Sequence, residues 1–63
     1  MSVVKFFEFV SAEYNKRVCI NLDSIAAVTE SEKGNGIIIL KHENTVPTEV
    51  TVSYEEVLRV IRL

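Results

Sequence analysis

Short apolar runs alternate with polar breaks along this chain. From Val3 to Val10 a strand would place Val3, Lys5, Phe7 and Phe9 on one face and Val4, Phe6, Glu8 and Val10 on the other. Both faces are mostly apolar, which predicts a first strand covered in part on both sides. Polar Ser11–Lys16 reads as a hairpin loop. Arg17 to Asn21 is a second strand, with Val18, Ile20 and then Leu22 directed inward. Asn21-Leu22-Asp23-Ser24 predicts a tight turn or one helical turn, because Asn, Asp and Ser bond readily to nearby backbone.

Ile25 to Glu32 is a third strand, and Lys33-Gly34-Asn35-Gly36 predicts a hairpin turn, since Gly and Asn tolerate positive φ. The run Ile37-Ile38-Ile39-Leu40, within a fourth strand Ile37–His42, is apolar on both faces, so that strand is expected at the centre of the sheet. Glu43 to Thr45 turns. Val46 to Val52 is extended, with Val46, Val50 and Val52 on one face and Pro47 marking an edge or bulge. Ser53-Tyr54-Glu55-Glu56 is a capping box opening a helix of about nine residues, too short to hold unpacked. Tyr54, Val57, Leu58 and Ile61 fall on one helical face, with Glu55 and Glu56 at the positive end of the dipole and Arg59 and Arg62 near the negative end. The expected fold is α+β: one domain over 1–63, about five antiparallel β-strands in a curled sheet or open barrel, then one short C-terminal α-helix.

The order of these residues resembles a group of small bacterial proteins of the swarming-motility/flagellar FlbD type. The likeness rests on Val18-Cys19-Ile20-Asn21-Leu22-Asp23-Ser24-Ile25, on the Gly-containing segment Lys33–Gly36, and on Val50-Thr51-Val52-Ser53-Tyr54-Glu55-Glu56-Val57. Residues 45–48, with Pro47, depart from the tighter hairpin of that group. The resemblance implies a non-enzymatic role beside a larger assembly such as a motility apparatus, and it lends no catalytic residues.

Composition sharpens the picture. Valine, isoleucine and threonine make up close to a third of the 63 residues, which favours strands. A domain this size buries only about 60% of its unfolded surface and usually needs a disulfide, a metal or a partner chain. Cys19 is the one cysteine, so no internal disulfide forms, and with one histidine a four-ligand zinc site is out of reach. Self-association, in the simplest case a dimer, is the remaining option, although some domains of about this size fold alone. A mean hydropathy of +0.20 points the same way.

The net charge of −2 disfavours polyanionic partners. No apolar run approaches the roughly 20 residues that span a bilayer, and Lys5 and Glu8 interrupt any signal-peptide core. With a lone thiol, this suggests a cytoplasmic setting.

Candidate chemistry is thin. Cys19 has only His42 as a possible base and no orienting third group, so it reads as a small packed hydrophobe at a strand position or subunit interface. His42 and Glu43 are strand neighbours that point to opposite faces. Asp23 caps its own turn, and Lys33–Gly36 lacks the spacing of a phosphate loop. Catalytic residues, cofactors and metals are therefore expected to be none. The residues picked for an interface are Tyr54, Val57, Leu58, Ile61, Phe7 and Phe9. The leading expectation is a non-enzymatic interaction or assembly module acting as a homo-oligomer. The alternative is a small nucleic-acid-binding or regulatory domain using Phe6–Phe9 and Lys16-Arg17, since aromatics on a sheet beside basic residues stack bases.

Overall fold

The computed structural model describes residues 5–42 and 44–62. Five antiparallel strands and a C-terminal helix form an α+β fold: β1 (Phe6–Val10), β2 (Arg17–Asn21), β3 (Ile25–Glu30), β4 (Asn35–Leu40), β5 (Thr48–Ser53) and α1 (Tyr54–Ile61). A single 3₁₀ turn, Leu22–Ser24, joins β2 to β3, and Asn21 caps it by accepting the Asp23 N–H on its side-chain oxygen at 3.0 Å. Strand β2 and this turn lie where the sequence puts them. Val3 and Val4, read as the start of the first strand, lie outside the described residues, as does Glu43.

The strands form two sheets, β1-β2 and β3-β4-β5, with β4 central in the second. The sheets do not close into a barrel. They are stitched by a bridge between Ser11 and Val50 and by the Ala12 N–H donating to the Glu49 carbonyl at 2.8 Å. Among the described residues, five side chains fill the core: Phe9, Ile20, Ile38, Val50 and Val57, one each from β1, β2, β4, β5 and α1. Val28, Leu40, Val60 and Ile61 pack around them. In β1–β2, Phe7 lies opposite Ile20 and Phe9 opposite Val18, while Phe6, Glu8 and Val10 occupy the other face. That other face is not covered as expected, for Phe6 and Glu8 are exposed.

The second hairpin turns two residues earlier than the sequence predicts. The Gly34 N–H donates to the Ser31 carbonyl at 2.9 Å, and Gly34 takes the positive φ of 86°. The Ser31 N–H donates to the Asn35 carbonyl at 2.8 Å, so Glu32, Lys33 and Gly34 make a three-residue loop with glycine at the left-handed position. Asn35 and Gly36 belong to β4 instead. Gly36 is there for space: a Cβ would lie 2.5 Å from Val57 Cγ2. Helix α1 thus presses on β4 at a point where only hydrogen fits.

The valines of the fifth strand do not share a face. Strand β5 starts at Thr48, after Pro47, which has no N–H for a ladder. Between the pairs Asn35–Ser53 and Ile37–Glu49, β5 places Val50, Thr51 and Val52 where β4 has only Gly36. This bulge keeps Val50 buried and turns Val52 out.

Ser53 caps α1 as expected, its hydroxyl oxygen accepting the Glu56 N–H at 3.2 Å. The return half of the capping box is replaced, because the Glu56 carboxylate accepts from Arg59 Nη1 at 2.7 Å. Replacing Ser53 with Ala is expected to cost about 1 kcal/mol, which lowers Tm by about 4–8 °C, whereas Ser53→Asn should stay near the parent. Thermal unfolding followed by circular dichroism checks this; equal melting of the parent and Ser53→Ala would show that the cap carries no stability.

Candidate functional site

The residues that could meet a partner are sorted by which side of each element they occupy. Phe9 and Val57, both picked for an interface, are 3% and 0% exposed and serve the core of the single chain. Their apolar spacing is that of a core and of an interface alike, and burial assigns them to the first. Phe7 stands beside Phe9, ring centroids 4.9 Å apart and tilted by 51°, and remains 40% exposed. In α1, Ile61 packs against the core, as does Val60, which falls outside the predicted stripe. Leu58 lines a shallow groove with Glu55, Arg59 and Arg62 on the other side of the helix, and Tyr54 is half-buried. The buried stripe of α1 is therefore rotated from the predicted one.

Phe6 sits on the face of β1 opposite Phe7 and Phe9, across from Asn21, and is 60% exposed. The three phenylalanines make no common platform for stacked bases. Arg17 shares the Phe6 face with Glu8 and Cys19, whereas Lys16 lies in a cleft elsewhere.

That cleft, of about 480 Å3, runs between the β1–β2 loop and the segment entering β5. Ser11, Tyr14, Lys16, Val18, Val46 and Pro47 are among its lining residues. Ser11 is buried and organises the loop: its carbonyl accepts the Asn15 N–H at 2.8 Å and its hydroxyl the Tyr14 N–H at 3.3 Å. Asn15 adopts φ of 55°, which asparagine tolerates better than most residues. The turn leaves Tyr14 69% exposed, and Pro47 leaves Val46 79% exposed. Sequence reasoning did not join these two residues. Tyr14 lay in a segment read as a polar loop, and Val46 in one read as strand. The departure at Pro47 was the one signal available.

Cys19 is exposed in the middle of β2, opposite Glu8. His42 is exposed just after β4, and its carbonyl accepts from Thr45 Oγ1 at 2.9 Å. Asp23 is exposed within its capped turn. Among the described residues no three His, Cys, Asp or Glu side chains gather as a metal site would require, and no helix is long and apolar enough to cross a membrane.

No family model, no curated protein and no solved structure matches this chain.

Proposed function

We propose that the chain is a non-enzymatic interaction module that works as a homo-oligomer in the cytoplasm. The observation that carries this reading is the set of large apolar side chains left on the surface of so small a fold: Phe6, Phe7, Tyr14, Val46 and Val52. A chain of this length has little core to set against the entropy of folding, and covering such groups in a partner adds the burial it lacks. The resemblance to the flagellar FlbD type supports a place beside a larger assembly. On this reading the two sheets, stitched at Ser11–Val50, act as one curled sheet whose outer strands are available for association.

Size-exclusion chromatography with light scattering, over a range of concentrations, tests the proposal. A dimer or larger species that dissociates on dilution is the expected result. A monomer at every concentration would overturn it.

A further inference from the structure

Strand β2 pairs only with β1 among the described residues, so its other side is an open edge. The ladder shows which backbone groups face that edge. The Leu22 N–H donates to the Lys5 carbonyl, and the Ser11 N–H to the Lys16 carbonyl, at 2.8 and 2.7 Å. Hydrogen-bonded pairs alternate along an antiparallel ladder. With the observed register, Val18 and Ile20 therefore bond to Phe9 and Phe7, and the N–H and C=O of Arg17, Cys19 and Asn21 point away from β1. Strand β3 also borders its sheet, but its ladder slips between Ile25 and Ala27. Such a bulge blunts an edge against pairing. Strand β2 has no bulge and no proline.

We propose that β2 pairs edge to edge with β2 of a second copy of this chain, antiparallel, about a two-fold axis at Cys19. This rests on the homo-oligomer reading and gives it an interface. Cys19 meets Cys19 of the second copy, and Arg17 meets Asn21, so that each outward-facing residue exchanges both backbone bonds with its opposite. Charge selects the direction. Lys16 and Arg17 lie at one end of β2 and Asp23 just past the other, all exposed. Antiparallel pairing brings the basic end of each copy beside the acidic end of the other, whereas parallel pairing sets Arg17 against Arg17. On the core-facing side, Val18 of one copy lies opposite Ile20 of the other. This joins Phe7 and Ile20 of one chain to Val18 and Phe9 of the next in an apolar row across the joined sheet.

The test uses the full chain. Cys19→Pro removes an N–H that the chain's own ladder does not use, so the fold is retained while the central pair is lost. Its dimer dissociation constant is expected to rise on the order of 100-fold, as for a pair of lost hydrogen bonds. Arg17→Glu is expected to weaken the dimer on the order of tenfold, and adding Asp23→Lys should restore it. Because hydrogen-bonded antiparallel residues stand about 5.5 Å apart at Cα, a short bis-maleimide should link the wild-type chains through Cys19. The cross-link and the charge swap decide the matter even if the proline variant fails to fold. If the wild-type protein dimerises without cross-linking, and Arg17→Glu leaves the dimer unchanged, the β2 interface is wrong while self-association stands. If the wild-type protein is monomeric throughout, both readings fail.

Discussion

Replacing Ile38 with alanine is expected to remove a large share of the protein's stability and to lower its urea midpoint well below the parent's. Ile38 sits mid-way along β4, opposite Val28 on one side and Thr48 on the other, and is essentially fully buried. Truncating a buried isoleucine to alanine removes its transfer energy and opens a cavity, together about 2–5 kcal/mol. A 63-residue chain has a total stability of roughly 3–9 kcal/mol at typical values per residue. The loss is therefore a large fraction of what holds the fold. Ile38→Val, at about 0.5–1.5 kcal/mol, should remain folded with a lower midpoint. Urea titrations of the three proteins by far-ultraviolet circular dichroism make the comparison. An Ile38→Ala midpoint within error of the parent would mean that β4 is not the centre of the core.

Gly36→Ala should destabilise by about 1–3 kcal/mol, although alanine suits a strand better than glycine does. The cause is contact, since the new methyl meets the Val57 side chain of α1. The helix cannot simply back away, because the Tyr54 N–H donates to the Gly34 carbonyl at 3.1 Å and holds its first turn against the hairpin. The two side chains compete for one volume, so Gly36→Ala and Val57→Ala together should cost less than the sum of the single losses. Additive losses in the double-mutant cycle would place the strain elsewhere. Gly34→Ala offers a contrast two residues away, for it has open space around it and its cost would come from positive φ alone.

These two glycines show what the sequence made legible. Gly34 and Gly36 look alike in the segment Lys33–Gly36, and local turn chemistry predicts one hairpin from both. The structure separates them by a tertiary contact, from Val57 twenty-one residues further on, which no local signal records. Strand β2, the Asn21-capped turn and the Ser53 cap were readable because each is fixed by residues within a few positions of one another. The helix face was readable only in part. Leu58 and Val60 are both apolar, and docking against the sheet, not periodicity, chose Val60 for the core. For the candidate site, the same ambiguity affected Phe7 and Phe9, which share a face and divide between surface and core according to what covers each.

The bridge between Ser11 and Val50 has a bearing on the order in which this molecule assembles. Strands β3, β4, β5 and α1 follow one another along the chain with short connections, so their pairing needs little loop closure. The β1–β2 hairpin closes on itself just as locally. The bridge and the Ala12–Glu49 bond beside it ask the backbone to bring together positions more than thirty-five residues apart, and the entropy of closing a loop grows with its length. On that ground the two sheets are expected to pair separately, with the Ser11–Val50 stitch the last backbone connection to form. The slow coordinate of folding is then the docking of one preformed hairpin onto another half of the chain, with Phe9 and Ile20 as its hydrophobic latch.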